Sequence, residues 1–318
     1  MTPLSVDEAE VLFGDMLDGR MTDTETLAAL VAFADRGETA DEIAGAASAM
    51  RARMIPVSAP AGAIDVCGTG GDGSHSLNVS TAVAIVVAAC EVPVAKHGNR
   101  AASSKAGAAD TLEALGLNLD RAMETAEATL ADLGICFLFA QKHHPALARL
   151  APLRKSLGRR TIFNLIGPLA NPAGVTRQLI GIANPALLPV YSEAMNLLGA
   201  EGAMIVAGDE PLDELSISGP SSFIRLGGAL TRIKPEDAGL PRHPPEALKG
   251  GDAAFNAAAL RRLLDGESGA YRDAVLFNTA AALIVAGEVD DWPEGVEEAA
   301  EAIDKGLAMA LLDCWVNF

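Results

Sequence analysis

The chain has 318 residues, half of them apolar but only 4% aromatic, and carries a formal net charge of −18 at pH 7. So acidic a surface argues against nucleic acid or an anionic membrane as partner, and the longest apolar run, Ala82 to Cys90, is far too short to cross a bilayer. With no basic region at the amino terminus of the kind that opens a signal or transit peptide, the expectation is a soluble, cytoplasmic protein.

The first sixty or so residues read as three helices, each opened by its own capping box: Ser5-Val-Asp-Glu8, Thr22-Asp-Thr-Glu25 and Thr39-Ala-Asp-Glu42. Gly19 and Gly37 end the first two, and the spacing of Val11, Leu12 and Met16, then of Leu27, Leu30, Val31 and Phe33, buries one face of each. This unit contains no chemistry of its own, so a packing role against a larger domain or another subunit is expected. The Pro/Ala/Ser/Gly stretch from Ile55 to Ala63 reads as a linker.

Beyond it the pattern alternates. Strands are expected at 63–67, 92–96, 135–139, 178–182 and 203–207, with further ones at 214–217 and 222–226. Helices are expected at 81–90, 108–115, 120–133, 255–264, 270–286 and 296–312, with the acidic run Glu294 to Glu301 as a solvated face. Strands separated by helices imply an α/β fold: a small amino-terminal helical domain, residues 1–62, joined by helices from about 145–175, and a larger, mainly parallel-sheet α/β domain, 63–318, flanked by helices. The four cysteines, Cys67, Cys90, Cys136 and Cys314, form no CxxC pair and read as buried thiols.

Two segments carry chemistry. Asp65-Val-Cys-Gly-Thr-Gly-Gly-Asp-Gly73 follows a strand and places four glycines in six residues, a loop whose backbone N–H groups can close on an anion. Gly68, Gly70 and Gly73 also fit G-x-G-x-x-G, with Glu91 near where a dinucleotide site keeps its ribose-binding acid. Against that reading, Ser74 to Ser80 intervene before the next helix. There, Ser80 or Thr81 is expected to cap a helix whose amino terminus favours phosphate. The second segment, Lys96 to Gly107, follows the next strand and so shares the carboxyl edge of the sheet. It holds two lysines, an arginine, a histidine, an asparagine and two serines, the local cation cluster that an acidic protein needs to hold an anion.

Together these segments resemble the signature of the anthranilate phosphoribosyltransferases. The carrying residues are Gly68-Thr-Gly-Gly-Asp-Gly73, Asn78-x-Ser80-Thr81 and Lys96-His-Gly-Asn-Arg100. The likeness continues through Ala109-Asp110-x-Leu-Glu-Ala-Leu-Gly116, Cys136-Phe-Leu-Phe139, His143-His144-Pro145, Arg154-x3-Gly158-x-Arg160-Thr-Ile-Phe-Asn164, Gly167-Pro-Leu-x-Asn-Pro172 and Asp213-Glu214.

The resemblance implies transfer of the 5-phosphoribosyl group of phosphoribosyl pyrophosphate (PRPP) to anthranilate, with magnesium and release of pyrophosphate. It implies PRPP contacts at Gly68, Gly71, Asp72, Ser76, Asn78, Val79, Ser80 and Thr81. Further PRPP contacts are implied at Lys96, His97, Gly98, Asn99, Arg100, Ala101, Ala102, Ser103, Ser104 and Ala108. Anthranilate contacts are implied at Gly68, Asn99 and Arg154, magnesium contacts at Ser80, Asp213 and Glu214, and a homodimer through the amino-terminal helices. Adjacent carboxylates suit a cation that prefers oxygen and bridges to phosphate, and a guanidinium suits a benzoate carboxylate. Ala101 and Ala108 depart from the family's frequent serines, each removing a hydroxyl. The adjacent His143 and His144 are given no ligand role. No residue stands out as a general base, and an aryl amine, which loses its proton readily after attack, needs none.

Overall fold

The computed structural model describes residues 2–101, 105–210 and 212–318. Helices α1 (Val6–Asp18), α2 (Asp23–Arg36) and α3 (Ala40–Arg51) each carry the expected capping box. Ser5, Thr22 and Thr39 accept from the third helical N–H, while Glu8, Glu25 and Glu42 reach back to the cap. A cap of this kind stabilises a helix by about 1 kcal/mol. Gly19 and Gly37 terminate α1 and α2, as expected. The apolar faces meet in one cluster in which Phe13, Leu30, Phe33 and Ile43 are fully buried, shared with Leu150, Ile162, Phe163 and Ile166 from the middle of the chain and with Tyr191. Val11, expected on the buried face of α1, is exposed because it points away from α2 and α3. Residues after α3 are fastened to this mid-chain region, Ile55 N–H donating to the His143 carbonyl and Val57 N–H to that of Pro172.

The sheet begins with β1 (Ile64–Gly68), followed by α4 (Val79–Ala89), β2 (Val94–Gly98), α5 (Ala108–Leu115), α6 (Leu119–Glu124), α7 (Ala126–Leu133) and β3 (Ile135–Phe139). The single helix expected over 120–133 is two helices, broken at Thr125, whose φ of −106° and ψ of 9° leave the helical range and whose hydroxyl adds a second bond to the Arg121 carbonyl. Two short helices, α8 (Ala140–His143) and α9 (Ala151–Leu157), lead to β4 (Arg177–Gly181), α10 (Leu188–Leu197), β5 (Gly202–Gly208), β6 (Ser221–Arg225) and β7 (Thr231–Ile233). The carboxyl-terminal helices are α11 (Ala253–Leu264), α12 (Ala270–Ala286), α13 (Trp292–Asp304) and α14 (Leu307–Val316). Gly306, with φ of 72°, splits the helix expected over 296–312 into the last two. On α13, Glu294, Glu297 and Glu301 face solvent, as the charge run suggested.

Strand order is β3-β2-β1-β4-β5-β6-β7, parallel through β5 and antiparallel for β6 and β7. The strand expected at 214–217 is absent: this buried segment hydrogen-bonds to side chains and not to a neighbouring strand. Successive strands run outward from β1 to β3, after which the chain returns to place β4 on the other side of β1. That reversal opens a crevice at the carboxyl ends of β1 and β4, where open α/β sheets take their ligands. Among the described residues no helix is long and apolar enough to cross a membrane.

Candidate active site

Gly68 and Gly181, the last residues of β1 and β4, are register partners at this crevice. Asp213 sits directly over both. A Cβ on Gly68 would fall 2.1 Å from the Asp213 carboxylate, and one on Gly181 would fall 1.5 Å from its carbonyl oxygen. Only glycine leaves room. The Gly70 N–H donates to Asp213 Oδ2 at 2.6 Å, and the Ser80 N–H, in the first turn of α4, donates to Glu214 Oε1 at 3.2 Å. The acidic pair, 134 residues beyond Ser80 in sequence, therefore closes on both halves of the glycine-loop segment.

The electrostatics of this point suit a cation. Burial first, and then the neighbouring Asp72 carboxylate, push the Asp213 pKa up to about 7. Burial, Asp213 and Asp72 together hold Glu214 well above the ordinary carboxylate range. Neither Asp213 nor Glu214 forms an ion pair among the described residues. Oxygen donors converging under mutual repulsion fit a hard divalent ion. No described group of three His, Cys, Asp or Glu side chains makes a metal site by itself, so remaining ligands for such an ion have to come from Ser80, water or substrate.

Asp72 anchors the loop tip by accepting from Ser74 N–H at 3.0 Å and Ser74 Oγ at 2.8 Å, and Ser74 Oγ lies 3.2 Å from that of Ser76. Gly70 and Gly71 have φ near +70°, where a side chain would be strained. Helix α4 starts at Val79 with Asn78 as N-cap, so neither Ser80 nor Thr81 caps it, and Asn78 makes no side-chain cap bond either. The Asn78 amide instead ties the start of α4 to two other helices: its oxygen accepts from Thr111 on α5 at 2.5 Å and from Asn256 on α11 at 2.9 Å, and its nitrogen donates to the Ala106 carbonyl. Thr81 is buried in the helix face.

Lys96, Gly98, Asn99 and Arg100 lie at the end of β2 and just after it. Lys96 is almost completely buried, donating to the Val66 carbonyl at 2.7 Å and to Ser80 Oγ at 3.3 Å. Burial lowers its pKa, opposed by Asp65 and the acidic pair. His97 is buried too, with a pKa near 3 caused by burial and then by His144, whose ring centre is 5.1 Å away. Its Nδ1 lies 3.2 Å from the Gly167 carbonyl, which assigns the proton of the neutral ring to Nδ1. The Asn99 amide oxygen accepts from Arg100 N–H and Gln141.

The expected cluster of free cations is thus largely committed. Arg100 pairs with Asp110 at 2.8 Å and with Glu113, and Asp110 accepts the N–H groups of Ala101 and Gly107. Arg100 and Lys105 are both exposed, but Arg100 is held in ion pairs. Ala108 opens α5 beside Gly98. Ala102, Ser103 and Ser104 lie outside the described residues. Arg154, on α9, is partly buried with its guanidinium over the Phe163 ring at 5.6 Å, and burial lowers its pKa. The structure shows no direct bond between Arg154 and Asn99 among the described residues.

Two features escaped the reading of the sequence. Arg160 donates to the Gly70 carbonyl at 2.9 Å and lies against Gly71, tying the segment after α9 to the glycine loop. Under the loop, buried Asp65 accepts from Asn171 at 2.8 Å and from the His97 N–H at 3.1 Å. Both Arg160 and Asn171 stood inside motifs already noted, but pattern alone gave them no partner. The dinucleotide alternative fails on position, and the reading of the cysteines is corrected. Glu91 precedes β2 and is exposed at the amino-terminal edge of the sheet, so it cannot serve as the ribose acid of a dinucleotide site. Cys136 is buried but Cys314 is exposed, and Cys67 and Cys90 are partly so.

Comparison with known proteins agrees with this geometry. The family model described as glycosyl transferase family, a/b domain, matches residues 61–309, and that of the family's helical bundle domain matches residues 2–54. The anthranilate phosphoribosyltransferase of Novosphingobium aromaticivorans is 68% identical over 317 residues, covering 99% of this chain and 96% of the relative. The crystal structure of the Thermus thermophilus anthranilate phosphoribosyltransferase superposes with a TM-score of 0.96 at 42% identity, over 99% of this chain and 96% of that one. The Saccharomyces cerevisiae enzyme in complex with PRPP and Mg superposes with a TM-score of 0.90 at 28% identity, over 98% of this chain and 92% of that one. Likeness this high, held across nearly the whole length and both family models, makes this chain a member of the anthranilate phosphoribosyltransferase family.

Proposed function

We infer that this chain transfers the 5-phosphoribosyl group of PRPP to the amino group of anthranilate, giving N-(5-phosphoribosyl)anthranilate and pyrophosphate, a step of tryptophan biosynthesis. The observation that carries this reading is the convergence of Asp213 and Glu214 on Gly70 and Ser80 at the sheet's reversal point. Carboxylate oxygens that suit a divalent cation lie beside a glycine loop and a helix amino terminus that suit phosphate, which is what a metal-bridged polyphosphate requires.

Ser80, Asp213 and Glu214 would hold magnesium, which when bound neutralises charge growing on the departing pyrophosphate. The chain's own residues do the rest by binding and orientation. Because Lys96 already donates to the Ser80 hydroxyl oxygen, that oxygen is fixed in place at the first turn of α4. The glycine loop, with Asp72, Ser76, Asn78, Val79 and Thr81, forms the wall for ribose and phosphates. The segment from Lys96 through Ser104, with Ala108, faces the PRPP phosphates, with Arg100 held in place by Asp110 and Glu113. Arg154 takes the anthranilate carboxylate, with Gly68 and Asn99 at the junction of the two substrates. Positioning and charge placement supply the rate, and the weakly basic amine needs no strong base.

The division into a helical domain of residues 1–62 joined by helices from about 145–175, and an α/β domain from 63 onward, is supported by the cluster that α1, α2 and α3 share with Leu150, Ile162 and Phe163. A homodimer through the amino-terminal helices and a cytoplasmic location belong to the same reading, and Val11, 65% exposed on α1, is an apolar position open to such an interface. The test is stoichiometry: one pyrophosphate released per anthranilate consumed, only with PRPP and Mg²⁺ present. Failure to consume anthranilate under those conditions, or binding of NAD in place of PRPP, contradicts the reading.

A further inference from the structure

Helix α12 carries two polar side chains that face the site from behind. Asn278 is buried and clasps the peptide of Leu215, the residue after the acidic pair: its Oδ1 accepts from Leu215 N–H at 2.9 Å, and its Nδ2 donates to the Leu215 carbonyl at 3.1 Å. A third bond, from Nδ2 to the Ala274 carbonyl at 2.9 Å, fixes the amide on its own helix. Asn278 therefore does for Leu215 what a neighbouring strand would do, and it does so where a strand was expected and none forms. It lines the same small cavity as Asp213, Glu214 and Ser80.

Seven residues earlier on α12, and so on the same face, Tyr271 donates from its hydroxyl to the Asn78 carbonyl at 3.1 Å, at the N-cap of α4. One rigid helix thus grips both halves of the site, the start of the phosphate-facing helix and the segment bearing the metal carboxylates.

We propose that Asn278 is a positioning residue for the Asp213–Glu214 pair and that α12, through Asn278 and Tyr271, sets the spacing between metal oxygens and the α4 amino terminus. This rests on the function inferred above. From the front, Gly68 and Gly181 confine Asp213. From behind, the Asn278 clasp is what prevents the Glu214–Leu215 backbone from turning. Side chains that hold metal ligands from outside typically contribute about 10- to 100-fold to metal affinity. Neither residue touches substrate in this account, so their effects should appear in metal and PRPP affinity and leave anthranilate affinity unchanged.

The experiment measures PRPP binding by titration calorimetry across a range of Mg²⁺ concentrations, with circular dichroism to establish folding. For Asn278→Ala, the Mg²⁺ concentration giving half of the affinity gain for PRPP should rise about 10- to 100-fold. Saturating Mg²⁺ should restore wild-type PRPP affinity. Tyr271→Phe should weaken PRPP about fivefold at every Mg²⁺ concentration, the loss of one neutral hydrogen bond. Asn278→Ser, which retains a hydroxyl, should shift the Mg²⁺ dependence in the same direction by less, and it serves if the alanine variant does not fold. A folded Asn278 variant with wild-type Mg²⁺ dependence overturns the proposal, as does a Tyr271→Phe protein with unchanged PRPP affinity. Wild-type protein that binds no PRPP at any Mg²⁺ concentration overturns the functional reading itself, and the proposal with it.

Discussion

Gly181 and Asp213 approach so closely that a methyl group on the glycine would lie 1.5 Å from the aspartate carbonyl oxygen. The acidic pair is therefore seated by the end of β4 itself. Gly181→Ala must push the Asp213 backbone away from the crevice while leaving the strand's hydrogen bonds to β1 and β5 possible. A displacement of about 1 Å costs roughly 100-fold in turnover where positioning carries the rate. The expected outcome is a folded protein with kcat lowered by about that factor. Wild-type turnover in Gly181→Ala would show that the pair has no fixed place in the site.

Two buried imidazoles make stability fall with acid. The folded-state pKa values of His97, about 3, and His144, about 4, lie below the unfolded value near 6.5, in each case mainly through burial. Their contribution is fully present above pH 6.5 and is lost as pH falls through that value toward 4 and 3. Each histidine adds up to about 1.4 kcal/mol per pH unit to the slope of unfolding free energy. His144→Phe removes one titration, so denaturant melts between pH 6.5 and 4.5 should give a shallower slope than wild type. Parallel slopes would refute the assignment.

Arg154 stands over Phe163 with its charge unpaired among the described residues, at 5.6 Å from the ring centre. A hydrogen bond to a charged group contributes roughly 1.5–3 kcal/mol. Arg154→Ala should therefore lower kcat/KM for anthranilate about 10- to 150-fold with little change in the KM for PRPP. Arg154→Lys should recover part of it, since a point charge cannot copy the planar fork. Loss of PRPP affinity with an unchanged anthranilate KM would move Arg154 to the phosphate side of the pocket.

What the sequence disclosed followed from how local the signal was. The three capping boxes each lie within four residues and were legible, and so were the helix over 270–286 and the strand over 135–139. Helix ends were less so: Gly306 and Thr125 break helices that apolar spacing ran together. The segment 214–217 has the composition of a buried strand, but Asn278, 63 residues away, satisfies Leu215 instead. The three-residue edge strand β7 is too short to leave a pattern. In the site, the glycine loop was readable from composition and the acidic pair only from family likeness. The engagement of Arg100 by Asp110 and Glu113 on α5 was not readable at all, because a cation in a loop looks alike in sequence whether a neighbouring helix pairs it or not. Arg160, Asn278 and Tyr271 act over 90, 63 and 193 residues of sequence and become visible only once the chain is folded.

The most direct measurement is the initial rate of anthranilate fluorescence loss with PRPP, as a function of Mg²⁺, for wild type and for the double variant Asp213→Asn, Glu214→Gln. Wild type should consume anthranilate only when PRPP and Mg²⁺ are both present, and the double variant should fold, need far more Mg²⁺ and turn over far more slowly. A wild-type protein inert toward anthranilate, or a double variant with normal rates at limiting Mg²⁺, would contradict the account.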